Sequence, residues 1–119
     1  MSTYPYFPDE LKALVSHGPY RALVERFRDA DTVELLVDTG FYNRISAPIR
    51  LEGVNAPELR TLEGAAALSY AAGILPVQSY CVLDTRFRQS FDRWIGRIIL
   101  PNGSDYGETL VRAGHAEYV

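Results

Sequence analysis

Along the first half of the chain the apolar positions follow two different rhythms. In "PDELKALVSHG" (8–18), Leu11, Leu14 and Val15 share one face of a predicted short helix. Pro8 suits its first turn, Asp9 and Glu10 suit the positive end of its dipole, and Gly18 can stop it. From Tyr20 the period shortens to two. "YRALVERFR" sets Ala22 and Val24 opposite Leu23 and Glu25, and "TVELLVDTG" sets Val33, Leu35 and Val37 on one face. Both predict strands, with "RDAD" as the turn between them. "DTGFYNRISAP" reads as a long polar connection, "IRLEGV" as a third strand, and "NAPE" as its end.

The pattern then changes. "TLEGAAALSYAAGILP" predicts a helix capped by Thr61 and ended by Pro76, with Leu68, Ala72 and Leu75 on its buried face. "VQSYCVLDT" and "RWIGRIIL" predict two more strands, "PNGSD" a turn, and "YGETLVRAGHA" a short helix with Tyr106, Leu110 and Ala113 on one side. Periodicity alone indicates a mixed α+β domain. Five short strands broken by a helix after the third fit a sharper expectation: a five-stranded, partly open Greek-key barrel of the oligonucleotide-binding type, with flanking helices.

Composition narrows the functional classes. At 119 residues the chain is expected to form one domain at 20–119, preceded by an extension with a short helix at 1–19. Its net charge of −3 argues against a strong sequence-independent grip on nucleic acid, which normally needs a basic face. It leaves room for an enzyme that holds a strand briefly. The single Cys81, in "SYCVL", reads as a buried small residue, so neither a disulfide nor a Cys-rich metal site is expected. "MSTYPYFPDE" carries no basic region followed by a long apolar run, and no window approaches a membrane span. The expectation is a cytoplasmic monomer without membrane contact.

Three stretches carry residues with chemical potential. In "RDADT", Asp29 and Asp31 stand two apart at a strand–turn–strand junction. Such a pair suits turn chemistry, and equally the oxygen ligation that magnesium or calcium requires. In "RLEGVNAPE", Arg50 lies mid-strand and Glu58 follows Pro57. They read as an exposed arginine and a surface glutamate, or as a phosphate clamp and a group that acts on an attacking water. In "FDRWIGR", Arg97 follows Gly96, a glycine that marks a bulge or a close backbone approach. A second arginine there would hold charge developing on phosphorus. His17 and His115 read as surface or helix-end residues.

Taken together, "DADT" (29–32), "IRLEGVNAPELR" (49–60), "DRWIGR" (92–97) and "LVRAGHA" (110–116) resemble, in order, the motifs of the staphylococcal-nuclease-like (thermonuclease) family. That family's pattern is Asp-Gly-Asp-Thr, an Arg-Leu strand running into Asp-Ala-Pro-Glu, then Asp-Lys-Tyr-Gly-Arg, then Leu-Val-Arg-x-Gly. The resemblance covers roughly residues 20–118. It implies a calcium-dependent nuclease that hydrolyses DNA and/or RNA with little sequence preference, leaving a 3′-phosphate and a 5′-hydroxyl. Asp31 then matches a direct metal ligand, Ala56 a backbone-carbonyl ligand, and Asp29 an outer-shell acid. Asn55 stands where the family usually has a second carboxylate ligand. Arg50 and Arg97 match two phosphate-binding arginines, and Glu58 matches the carboxylate that acts on the nucleophilic water. Trp94, Tyr106, Tyr118 and Phe41 are candidate surfaces for base stacking.

Two further departures from the family pattern raise structural questions. Ala30 replaces a glycine, which would cost something at a positive φ. "DRWIGR" carries one residue more than the family run, which a bulge could absorb. The alternative expectation is a catalytically weakened barrel that binds single-stranded nucleic acid or a protein partner.

Overall fold

The computed structural model describes residues 18–90 and 93–119, with the backbone alone for 86–90. The helix expected in 8–18 lies almost wholly outside the described residues. The described chain runs β1 (Tyr20–Asp29), β2 (Thr32–Gly40), β3 (Asn43–Leu51), β4 (Val54–Asn55), α1 (Leu62–Ile74), β5 (Tyr80–Ser90), β6 (Arg93–Ile99), α2 (Tyr106–Arg112) and β7 (Glu117–Tyr118).

Five strands close a barrel in the order β1-β2-β3-β6-β5. The pairs are antiparallel except β3 with β6, which run parallel in a register that sets Leu51 opposite Gly96. This is an α+β barrel of the oligonucleotide-binding type, as the strand count and the mid-chain helix predict. Closure is completed by short contacts, Ile49–Leu51 against Trp94–Gly96 and Tyr20–Leu23 against Tyr80–Leu83. The period-two pattern determines which face is enclosed: Val33, Leu35 and Val37 all point inward, as do Ala22 and Val24. Fully burying side chains such as Leu35, Ile49, Leu83 and Ile98 stabilises the fold by about 1.5–3 kcal/mol each.

Three sequence expectations are corrected. The polar connection predicted at 38–48 is a tight hairpin: β3 already starts at Asn43, and only Phe41 and Tyr42 separate it from β2. Arg44, Ser46 and Pro48 sit on the strand's outer side, so polarity here marks a half-exposed strand rather than a loop. On α1 the buried face is Gly64, Ala67 and Ala71, while Ala72 is exposed and Leu68 half-buried. Small residues, not the largest apolar ones, form this face, and at Gly64 the close neighbour is the Glu58 backbone. On α2, Tyr106 and Leu110 are buried as predicted, but Ala113 is the exposed C-cap. Among the described residues, no helix is long and apolar enough to cross a membrane.

Candidate active site

The end of the barrel where β1 turns into β2 meets the end of β3. Asp31 occupies the turn and is 6% exposed. Its backbone carbonyl accepts the Leu51 N–H at 2.9 Å, and its side chain takes two further donors. Oδ1 accepts Thr32 Oγ1–H at 3.0 Å, and Oδ2 accepts the Ala56 N–H at 2.8 Å. The β3–β4 turn at Glu52 and Gly53 reverses the chain so that this last bond can form. Ala30 has no positive φ, so alanine in place of glycine introduces no backbone strain there. Its carbonyl accepts the Tyr106 hydroxyl at 2.6 Å, which ties α2 to the same turn.

Arg50 lies against Asp31, with Nη2 at 3.6 Å from Asp31 Oδ2. Thr32 is its pairing partner on β2. The guanidinium is held from below: Nη1 donates to the carbonyls of Leu51 and Val54. Nη2 donates to Asn55 Oδ1 at 3.1 Å. The structure brings Asp31, Arg50, Asn55 and Ala56 into one cluster. Asp29 takes a positioning part, since its Oδ1 accepts the Leu59 N–H at 3.1 Å and anchors the loop that follows β4. Glu58 stands on that loop, largely exposed, with Arg60 at 3.4 Å.

Arg97 lies on β6, one residue beyond the Leu51–Gly96 pair. Arg50 pairs with Ile95, and Arg97 follows two residues later on the same outer side. The extra residue of "DRWIGR" does not distort β6, because the register shifts between β5 and β6 fall where β5 supplies the extra residues. Gly96 is a close approach: a Cβ there would lie 3.0 Å from the Asp84 carbonyl oxygen. Both Arg97 Nε and Nη2 lie 2.9 Å from Asp105 Oδ2. That contact, more than the fields of Asp84 and Glu52, raises the Arg97 pKa further. Asp105 also caps α2 by accepting the Glu108 N–H. An open cavity of about 270 Å³ lies here, walled by Glu52, Arg97, Asp105, Glu108 and Tyr118. Leu51 and Val54, whose carbonyls hold Arg50, line it as well.

The aromatic candidates divide. Tyr118, on β7, is 64% exposed at the cavity rim. Trp94 is half-buried against the core. Tyr106 is wholly buried, with its phenol pushed upward by burial and, less, by Asp31. It presents no face to a base and serves instead as a strut between α2 and the Asp31 turn. Cys81 is buried, and burial raises its thiol to about 12, so it is inert. Asp105 was the residue that sequence reasoning missed. Its signal was helix capping, a role that conceals the second one as partner of Arg97.

The Asp31 carboxylate and the Asn55 amide oxygen suit a hard cation in kind, although Asp31 Oδ2 already accepts the Ala56 N–H and Asn55 Oδ1 accepts from Arg50. They supply one full negative charge, and Arg50 competes for it. Among the described residues, no three His, Cys, Asp or Glu side chains converge into a metal-binding group. No protein-family model matches the chain, and no curated protein matches it.

Proposed function

We propose that the chain is a calcium-dependent nuclease of the staphylococcal-nuclease-like kind, hydrolysing phosphodiester bonds of DNA and/or RNA with little sequence preference. One observation carries the reading. Asp31, buried at the barrel's end, is linked to Ala56 and faced by Arg50. Burying an acid and an arginine side by side costs free energy that pairing and hydrogen bonds offset, and such buried charged pairs concentrate at functional sites.

In this reading Asp31, Asn55 and the Ala56 carbonyl hold the cation, with Asp29 acting through water. The cation, when bound, draws charge from a phosphate oxygen and lowers the pKa of a bound water. Arg50 turns Nη2 from Asn55 and Asp31 to a phosphate oxygen, while Nη1 stays fixed by the carbonyls of Leu51 and Val54. Fixing it in advance means that little reorganises when the charge on phosphorus grows. Arg97 exchanges Asp105 for the same phosphate. Glu58 orients or deprotonates the attacking water from its exposed loop. Tyr118 offers a face to a base at the cavity rim.

The test is digestion of plasmid and of labelled oligonucleotides with calcium and with chelator, with the ends of the products identified. Calcium-dependent products with 3′-phosphates support the proposal. A folded protein that leaves both substrates whole at millimolar calcium overturns it. A second reading, a weakened barrel that binds strands without cutting them, draws on the single carboxylate at Asp31 and the Arg97–Asp105 pair. Strand binding without cleavage is its signature.

A further inference from the structure

The outer face of β1, β2 and β3 concentrates positive charge in a chain whose net charge is −3. Inward positions on these strands are apolar and buried, so the alternate positions face solvent. Those positions carry Arg21, Arg26, Arg28, Arg44 and Arg50, five of the chain's 12 basic residues. The acids on these strands' non-inward positions are fewer: Asp38, Glu34, Glu25 at the β1 bulge, and Asp29 at the end of β1. Asp38 accepts from Arg21 at 3.0 Å, and Glu34 from Arg26 and Arg28 at 2.8 and 2.9 Å. The Arg21 and Arg26 side chains remain 86% and 69% exposed, so these are surface pairs that a phosphate can displace. An open groove of about 380 Å³ lies between Arg21, Asp38 and Arg44, floored by Leu23 and Leu36 and edged by the exposed Tyr80.

Beyond the groove the β2–β3 hairpin ends in Phe41 and Tyr42. Both are fully exposed, and both have positive φ, 55° and 60°. A two-residue loop of this hand favours Asn-Gly, and aromatic residues there are strained. Folding does not explain this pair, since it touches none of the core. Arg50 and the tip are separated by seven steps of β3, roughly 23 Å at ~3.3 Å per residue.

We infer that this face is a track for single-stranded nucleic acid, which runs from the Arg50 cluster along the arginines to a base stacked on Phe41 and Tyr42. The guanidinium fork matches phosphate, and exposed aromatic rings match unpaired bases of any sequence. An anionic lipid surface would want its cations ringed around the tip at one depth. Here Arg26, Arg28 and Arg50 lie at the opposite end of the strands. The inference rests on the nuclease reading only for what happens to the strand at Arg50, and its test separates binding from cleavage.

Fluorescence anisotropy with single-stranded oligodeoxynucleotides of 4 and 16 residues, in chelator, reads binding alone. The 16-mer should bind more tightly, and the double variant Arg21→Gln/Arg44→Gln should weaken it about tenfold. The slope of log affinity against log salt should fall by about 1.4, two phosphates at ~0.7 each. Phe41→Asn/Tyr42→Gly should weaken the 16-mer about fivefold while raising the melting temperature, because the new turn is unstrained. Unchanged 16-mer affinity in both variants overturns the track, even if calcium-dependent cleavage persists. Length-dependent binding lost in the variants, from a protein that cuts nothing, keeps the track and removes the nuclease reading. Binding to phosphatidylserine vesicles with none to the 16-mer assigns the face to lipid and overturns the inference.

Discussion

Asp31 accepts the Ala56 N–H at 2.8 Å, joining the turn before β2 to the end of β4 across 25 residues. That bond stabilises both the fold and the candidate site, and the two roles can be separated. Asp31→Ala removes the acceptor of the buried Ala56 N–H and the anion facing Arg50, at a cost of about 2–3 kcal/mol. The melting temperature should fall by roughly 10 °C or more. Asp31→Asn keeps an acceptor oxygen and should lose much less stability, yet should still lose calcium binding. Thermal melts of both variants, with calcium titrated by calorimetry, check this. Equal destabilisation would show that charge, not the hydrogen bond, stabilises the turn.

Asn55 donates no charge to the cluster, and its Oδ1 already accepts from Arg50. Asn55→Asp should tighten calcium by about tenfold, near 1.4 kcal/mol, and lower the calcium needed for cleavage. Calorimetry and cleavage-rate titrations should shift together. If neither moves, Asn55 serves only to hold Arg50.

Arg97 is held by Asp105, which lies 2.9 Å from both Nε and Nη2, so under the proposed nuclease reading it must leave Asp105 to meet a phosphate. Arg97→Ala should therefore slow turnover roughly a hundredfold or more, the size of a lost transition-state charge contact. Asp105→Ser keeps a cap for α2 while removing the competing charge. It should lower KM for oligonucleotides with α2 intact by circular dichroism. An unchanged KM would mean that the Arg97–Asp105 pair already breaks without hindrance.

How far the sequence could be read depended on how local each feature is. Val33, Leu35 and Val37 announce their strand because burial on one face is a period-two property of neighbours. Asp31, Arg50 and Asn55 were readable as a set because each belongs to a motif with fixed spacing. The hairpin at Phe41 and Tyr42 was not, since two aromatics at positive φ contradict every turn preference and disguise the loop. The small-residue face of α1 was missed for a different reason. Periodicity ranks residues by size, whereas closeness of approach selects Gly64, Ala67 and Ala71. The arginine face was hidden in the net charge, because total charge says nothing of its distribution.

Acid should act partly through the outer face. Hydrogen bonds from Arg28 and then Arg26 hold the Glu34 carboxyl below its ordinary value of 4.5. A carboxyl depressed in the folded state stabilises it fully above that ordinary value. The contribution is lost as pH falls through the folded value, where the unfolded chain already binds the proton. Urea denaturation should therefore show constant stability down to about pH 5 and a decline below 4.5. Arg26→Gln/Arg28→Gln should flatten that decline. Parallel curves for the two proteins would assign the acid sensitivity to other carboxylates.

Gly64 offers the sharpest link between packing and the candidate chemistry. It sits in the first turn of α1, where alanine normally favours a helix by about 1 kcal/mol. Here a Cβ would stand 1.7 Å from the Glu58 carbonyl oxygen and 2.4 Å from its carbon. That carbonyl is itself fixed, accepting Thr61 N–H at 3.0 Å and Thr61 Oγ1–H at 2.7 Å. Backbone cannot yield as a flexible side chain does, so either α1 or the Glu58 loop must shift. Gly64→Ala should lower the melting temperature despite its better helix propensity, and under the nuclease reading should reduce cleavage by displacing the loop that carries Glu58. Glu58→Gln, which leaves the packing alone, should reduce cleavage with no change in melting. If Gly64→Ala melts higher than the wild type, α1 does not approach the Glu58 loop this closely, and the helix plays no part in positioning that carboxylate.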